Sequence, residues 1–196
     1  MHTLRERILE EGRSLGGGIL KVDGLINHRV DAEVMRGCGE AFAAEFAHLK
    51  PDLILTAEIS GIAPALMTAS YLGCNIVYAR KKRPVTMPGE PYVAHAPSHT
   101  KGGVTPLIVS REFLKAGERV LIIDDFLASG QTIKGLVELV SMAGAELVGI
   151  GALVEKSFEG GRALLAETGV PIHTLVQITR LEEGLIELAP AEGAEA

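Results

Sequence analysis

Two carboxylates stand side by side at Asp124 and Asp125, and a run of small and polar residues, Ala128, Ser129, Gly130, Gln131 and Thr132, follows within a few positions. In front of them lie four β-forming residues, Val120, Leu121, Ile122 and Ile123. Such an unbroken apolar run is what a central parallel strand requires, because it is covered on both faces. Two Asp residues cannot extend that core, so the pair is expected at the carboxyl end of the strand, in the crevice where open α/β sheets bind ligands. The segment 128–132 then opens a helix, whose first amides lack intrahelical partners and point at whatever lies in front. Small residues let an anion approach those amides, and the hydroxyls of Ser129 and Thr132 add donors. The stretch therefore sets acceptors for hydroxyl groups or a metal beside donors for a phosphate, which fits a sugar phosphate. A single Asp after a strand is often a turn residue or a helix cap. An adjacent pair ahead of Ser-Gly-x-Thr weighs against that simpler reading.

The elements that must position these groups follow from periodicity and breakers. Residues 3–12 fit a short amphipathic helix, with Leu4, Ile8 and Leu9 on one face and Gly12 as its stop. Three glycines at 16–18 precede a short strand at 19–22, Asp23-Gly24 signals a turn, and residues 25–28 are expected to return as its partner strand. Asp31 is placed to cap a helix carrying Val34, Met35, Cys38, Phe42 and Phe46. A buried strand at 53–56 leads through a turn at 57–61 into a helix near 63–71, with Pro64 in its first turn. A strand at 76–79 ends in the basic run Arg80-Lys81-Lys82-Arg83. Roughly 20 polar, weakly patterned residues follow, a loop length that usually marks function or disorder. Leu107-Ile108-Val109 reads as a strand. Beyond the acidic pair, a helix runs through Leu136, Val137, Leu139 and Val140 to Gly144. A buried strand at 147–154 ends at Glu155-Lys156-Ser157-Phe158, and a short helix, a strand at 172–178 and an edge strand at 185–188 complete the pattern. The small, acidic tail from Ala189 is expected to fray. Strands alternating with helical segments predict an α/β domain around a mainly parallel sheet.

At 196 residues the chain suits a single domain, 1–196, with a sizeable core. No apolar run approaches the ~20 residues of a membrane span, and the charged start, Met1-His2-Thr3-Leu4-Arg5, lacks the apolar segment of a secretion signal. Cys38 and Cys74 are far apart and lack the partners of a zinc pattern, so inert thiols in a reducing cytoplasm are expected. A net charge of -6 argues against a general nucleic-acid binder. It leaves room for a phosphorylated small ligand, which needs only local positive potential.

The stretch 120–132 resembles the phosphoribosyl-diphosphate motif of the type I phosphoribosyltransferases: apolar strand, acidic pair, small-residue loop closing in Gly-x-Thr. The resemblance covers most of the chain. Leu20-Lys21-Val22-Asp23, Leu25-Ile26-Asn27-His28, Ser60-Gly61-Ile62-Ala63-Pro64, Glu155-Lys156-Ser157-Phe158 and Leu181-Glu182-Glu183-Gly184 are similar to the bacterial branch of the family that acts on xanthine. The fold so implied is a mainly parallel central sheet flanked by helices. It carries a hood from the N-terminal hairpin (roughly 15–30) and C-terminal segments (roughly 155–188), and a flexible loop over roughly 81–105. The resemblance makes Asp124 and Asp125 the holders of the ribose hydroxyls and the stabilisers of positive charge on the sugar. It makes Ala128, Ser129, Gly130, Gln131 and Thr132 the 5′-phosphate loop. It makes Glu58, Ile59, Ser60 and Gly61 the pyrophosphate loop, with a cis bond expected between Glu58 and Ile59. The basic run, otherwise a solvated face, becomes the base of a lid from which Lys81 or a neighbour neutralises pyrophosphate charge. Lys156, which alone would be taken to snorkel, becomes a donor to a purine carbonyl. Asn27 donates and accepts at once and suits the remaining carbonyl or ring N–H edge. Leu20 offers backbone groups and an apolar wall, and Phe126 and Phe158 are candidates to stack on the purine as well as ordinary core residues. One departure matters: Ala128 stands where the wider 6-oxopurine group commonly places an Asp proposed as base, which puts general-base help from this loop in question.

The expected reaction joins xanthine to 5-phosphoribosyl 1-diphosphate, giving xanthosine 5′-monophosphate and pyrophosphate. Mg²⁺ is expected on the diphosphate and ribose oxygens, without direct protein ligands, and the family precedent implies a homodimer. An adenine or guanine/hypoxanthine enzyme is the nearest alternative, although Lys156 opposes adenine, whose 6-amino group gives an ammonium nothing to bond. An alternative of another class is a non-catalytic sensor of phosphoribosyl diphosphate that binds DNA. About 18 residues precede the first hairpin strand, short for a three-helix DNA-reading module, and the chain is acidic.

Overall fold

The computed structural model describes residues 3–97 and 103–190. Thr3 opens helix α1 (Leu4–Glu11) with a reciprocal pair of bonds: its hydroxyl accepts the Glu6 amide, and the Glu6 carboxylate accepts the Thr3 amide. Leu4 and Ile8, four positions apart, turn inward together. The two-residue strands β1 (Arg13–Ser14) and β2 (Leu20–Lys21) pair antiparallel across the glycine loop. The hairpin expected between 19–22 and 25–28 is corrected here. β2 pairs backward with β1, and Asp23–Asn27 coil into a π-helical turn. Burial explains this: Leu25 and Ile26 are adjacent and both inside, whereas a strand sends successive side chains to opposite faces.

Helix α2 (Ala32–Phe46) begins where Asp31 accepts the Glu33 and Val34 amides, both at 3.1 Å. The Val34 amide, and then Arg7 at 2.9 Å, hold the Asp31 carboxyl below its ordinary range. The chain continues through β3 (Leu53–Ala57), α3 (Ile62–Leu72), β4 (Asn75–Ala79), β5 (Tyr92–Pro97), β6 (Val104–Val109), β7 (Arg119–Leu127), α4 (Gln131–Ala143), β8 (Glu146–Lys156), α5 (Gly161–Leu165), β9 (Ile172–Glu182) and β10 (Leu185–Leu188). Six strands form one sheet in the order β10-β9-β8-β7-β3-β4. All its pairings are parallel except β10 on β9, which is the expected α/β architecture.

Two further expectations change. Residues 81–105 are not one long loop, because β5 lies within them and pairs antiparallel with β6. Its buried positions, Ala94 and Ala96, alternate with period two, but alanine has little strand propensity, so the pattern was hidden. The acidic pair lies at the carboxyl end of its strand, as expected, and the strand runs two residues past it: Asp124 lies opposite Ala152, and Leu127 opposite Glu155. The long partner β8 supplies ladder bonds past the carboxylates, and these keep the backbone extended. The fraying expected from Ala189 does not begin there, since its amide bonds to Gln177 O at 2.9 Å; residues 191–196 lie outside the described residues.

Alternation along β7 builds both halves of the core. Leu121 and Ile123 join Ile54 beneath α2, while Val120 and Ile122 join Leu55 and Ile150 beneath α4. On the α2 side, Phe42 and Phe46 stack with ring centroids 6.2 Å apart. Their rings occupy the space that methyl groups on Gly149 and Gly151 of β8 would claim. Cys38, buried on the same helix, has its thiol pushed up to about 12 by desolvation, so it is unreactive at neutral pH. No helix among the described residues is long and apolar enough to cross a membrane. Phe42 is fully buried and packs over Gly151 beside Phe46 and Ile123. Phe42→Ala is expected to cost about 3–5 kcal/mol, read as a lower midpoint in denaturant unfolding. A loss below about 1 kcal/mol would contradict this packing.

Candidate functional site

Parallel strands deliver their carboxyl ends to one edge of a sheet, and here β3 and β7 deliver two turns to the same cavity. Its volume is about 380 Å³, and it is lined by Glu58, Ile59, Ser60, Gly61, Lys81, Asp124, Asp125, Phe126, Ala128, Ser129, Gly130, Gln131 and Thr132. The cavity thus gathers every residue assigned from sequence to the acidic pair and the two anion loops, with Lys81 alone from the basic run. Ala96, Pro97, Thr105 and Leu107 of the β5–β6 hairpin complete the wall. Sequence reasoning placed Ala96, Pro97 and Thr105 in a loop and Leu107 in a strand, and assigned none of them to the site. It also missed Thr56, a β-former in an apolar strand, which is fully buried with no hydrogen-bond partner for its hydroxyl among the described residues.

At this edge two helices begin without side-chain caps. Helices α1 and α2, away from the cavity, are capped by the side chains of Thr3 and Asp31. Helices α3 and α4 instead start from Gly61 and Gly130, with no side-chain cap bond. Both glycines line the cavity, so the first turns of two helices, with their positive dipole ends, converge on it. Gly61 is required by space, since a methyl group there would overlap Thr56 Oγ1 and Asp124 Oδ1. Gly130 is required by conformation, at φ 78°.

Between these ends lies the acidic pair. Asp124 is only 4% exposed, and its Oδ1 accepts the Asp125 amide at 3.0 Å. Desolvation and then the charge of Asp125 push its carboxyl well above the ordinary range, while Lys81 pulls the other way. Glu58 has a supporting position. Its carboxylate accepts the Lys81 amide at 2.6 Å and pairs with Arg80 at 3.1 Å. The turn at 58–61 is thereby tied to the basic run, and the Glu58–Ile59 bond is cis, as expected.

The three residues assigned to a base do not line this cavity. Leu20 is buried under the N-terminal loop, and Asn27 is exposed at the end of the π-helical turn. Lys156 Nζ donates to Gly18 O at 2.6 Å and pairs with Glu159 at 3.2 Å. Its ammonium also lies 5.7 Å from the ring centroid of Phe126. Phe126 therefore joins the two groups, being both a wall of the cavity and the surface under Lys156. Phe158, about half exposed, lies close to Gly18.

Residues 28–163 match a family model described as a phosphoribosyl transferase domain. A xanthine phosphoribosyltransferase of Deinococcus deserti is 54% identical over 184 residues, which is 94% of this chain and 95% of the relative. A xanthine phosphoribosyltransferase of Geobacillus thermodenitrificans is 48% identical over 186 residues, 95% of this chain and 96% of the relative. Among solved structures, adenine phosphoribosyltransferase from Thermoanaerobacter pseudethanolicus matches with a TM-score of 0.73 at 29% identity, covering 88% of this chain and 98% of that one.

The buried carboxyl of Asp124 has a consequence for stability. Because folding raises its proton affinity, the folded protein keeps a proton that the unfolded chain has released, and stability falls as pH rises between the two values. Asp124→Asn keeps the shape and can still accept the Asp125 amide, but carries no charge to bury. At about pH 8 its melting temperature is expected above the parent's, by about 2–4 °C for each kcal/mol regained, and the gap should narrow towards the ordinary Asp range near pH 4. A variant less stable than the parent at pH 8 would refute this account.

Proposed function

The chain belongs to the phosphoribosyl transferase domain family, and on that premise we propose that it transfers the phosphoribosyl group of 5-phosphoribosyl 1-diphosphate to xanthine, releasing pyrophosphate and forming xanthosine 5′-monophosphate. What carries this is the convergence of two uncapped helix starts with a buried acidic pair between them. The amides opening α4, with the hydroxyls of Ser129 and Thr132, hold the 5′-phosphate. The turn at 58–61 and the start of α3 receive the diphosphate, with Lys81 above it. Asp124 and Asp125 accept the ribose hydroxyls that lie between those two anions.

In the transfer, a ring nitrogen of the base forms a bond to C1 of the ribose as the bond from C1 to the diphosphate oxygen breaks. Positive charge grows on the sugar in between. The carboxylates of Asp124 and Asp125 stabilise that charge, and the electron pair leaves on the diphosphate, where the amides and Lys81 receive it. Much of the rate is positioning, since both anionic ends are held before reaction. The oxygen donors of the acidic pair suit Mg²⁺, which takes one or two carboxylates with substrate oxygens and water. No cluster of three His, Cys, Asp or Glu able to hold a metal alone occurs among the described residues. Mg²⁺ would be carried by diphosphate and ribose oxygens beside Asp124 and Asp125, where it would neutralise the diphosphate.

The base enters beside Phe126, under a hood made by the N-terminal loop and the turn after β8. Lys156 has three N–H donors, of which Gly18 O and Glu159 occupy two. The third is available to a base carbonyl, with Asn27 for the other carbonyl or a ring N–H and Leu20 as wall. An adenine amino group is itself a donor and gains nothing from Lys156. The relatives named for xanthine are 54% and 48% identical, against 29% for the adenine-named structure. Two unpaired thiols suit the cytoplasm. Leu66, Tyr71 and Tyr78 are exposed apolar surface that a homodimer would cover.

Initial rates with xanthine, guanine, hypoxanthine and adenine are expected to rank xanthine first. Adenine turnover well above xanthine would overturn the choice of base, and tight binding of phosphoribosyl diphosphate without pyrophosphate release would favour a sensor. Lys156→Met removes a charged hydrogen bond and is expected to lower kcat/KM for xanthine by about 10–100-fold, while the KM for phosphoribosyl diphosphate changes little. Equal losses for both substrates would remove Lys156 from the base site.

A further inference from the structure

Gly161 does not line the cavity, yet it touches the loop that does. Its amide donates to Ala128 O at 3.0 Å. A methyl group on Gly161 would overlap that same carbonyl and stand 2.8 Å from the Gly130 nitrogen. Reciprocally, a methyl group on Gly130 would stand 3.0 Å from the Gly161 Cα and carbonyl oxygen. Two backbones therefore meet here with no side chain between them.

What holds Gly161 in place is its neighbour. Arg162 makes a forked contact with Glu155, Nε donating at 2.9 and 3.1 Å and Nη2 at 2.6 Å. Its Nη1 donates to Ile172 O at 3.0 Å, and the Thr174 hydroxyl donates to Glu155 Oε2 at 2.8 Å. Glu155 is 2% exposed and lies within the sheet, opposite Leu127 on one side and Gln177 on the other. A buried carboxylate with this many partners, engaged by a planar fork, has one geometry and little freedom to leave it. A continuous run of contacts thus leads from the rigid sheet through Glu155, Arg162 and Gly161 to the carbonyl of Ala128. Nothing in the transfer chemistry uses Glu155 or Arg162 directly.

We propose that Arg162 is a positioning residue for the transfer: held by Glu155, it fixes Gly161 against Ala128 and so presets the amides of 128–132 for the 5′-phosphate. This rests on the assignment of 128–132 as the phosphate loop. The clamp acts on one anion subsite only, because the turn at 58–61 belongs to β3 and α3 and has no part in it.

The test compares the parent with Gly161→Ala, Arg162→Lys and Arg162→Met, using ribose 5-phosphate and pyrophosphate as separate probes in calorimetric binding, and steady-state KM and kcat for both substrates. Gly161 is the first residue of α5, where alanine is a good helix former. Its added methyl meets the loop at Ala128 O and the Gly130 nitrogen and also the Leu127 side chain, so a melting curve accompanies the binding data to separate loop from core. Gly161→Ala is expected to weaken ribose 5-phosphate about tenfold or more and to raise the KM for phosphoribosyl diphosphate in step, leaving pyrophosphate affinity and the KM for xanthine within about twofold. Arg162→Lys keeps the charge without the fork and should recover part of what Arg162→Met loses. Unchanged ribose 5-phosphate affinity in folded Gly161→Ala and Arg162→Lys, with the parent binding normally, overturns the clamp alone. Equal weakening of both probes also overturns it, as a general structural defect. A parent that binds pyrophosphate but no ribose 5-phosphate overturns the phosphate-loop assignment, and the clamp falls with it.

Discussion

Every α-helix starts with amide groups that its own hydrogen bonds cannot satisfy, and this fold depends on where those groups are spent. At α1 and α2 they are spent on the protein itself, through Thr3 and Asp31. At α3 and α4 they face the cavity from Gly61 and Gly130 without a side-chain cap. Parallel strand order makes this possible, because β3 and β7 end at the same edge and each hands on to a helix that starts there. The glycines, the tie between Glu58 and the basic run, and the interior position of the acidic pair all serve to keep those two helix starts open and a fixed distance apart.

The arrangement is costly where it matters most for binding. Asp124 is buried beside another carboxylate, in a place where an apolar residue would make a more stable protein. Sites that must meet a charge developing during reaction commonly carry such local destabilisation, with the surrounding sheet supplying the stability that tolerates it. Here the supply is visible on both faces of β7, in the aromatic pair over Gly149 and Gly151 and in the aliphatic layer under α4.

The parts read correctly from sequence are those where local chemistry and global position agree. The apolar run 120–123, the acidic pair and the loop 128–132 each have one sensible place in an α/β sheet, and Asp31 had only one helix to cap. Errors arose where burial overrode local signals. Asp23-Gly24 looked like a hairpin turn, but Leu25 and Ile26 both had to go inside. Ala94 and Ala96 concealed a strand, because small residues carry weak propensity. The wall of the cavity contributed by the β5–β6 hairpin was invisible for the same reason, and Gly161 offered only a glycine pair with nothing to show what it would meet. Contacts between separate elements leave no local trace, and the network around Glu155 joins β8, α5 and β9 in this way.

Gly18 and Lys156, joined by one hydrogen bond, are 138 positions apart in the chain. Helix α1 likewise packs on β9, so segments early in this sequence find partners in its later strands. Contacts of that span must wait until the intervening sheet has brought their ends together, and closing so long a loop early would cost entropy with nothing to offset it. During synthesis the bond from Lys156 to Gly18 and the packing of α1 on β9 therefore form only once β8 and β9 have emerged. Order of manufacture thus makes the closing of the hood over Phe126 a late event, whatever α1 and α2 have already formed between Arg7 and Asp31.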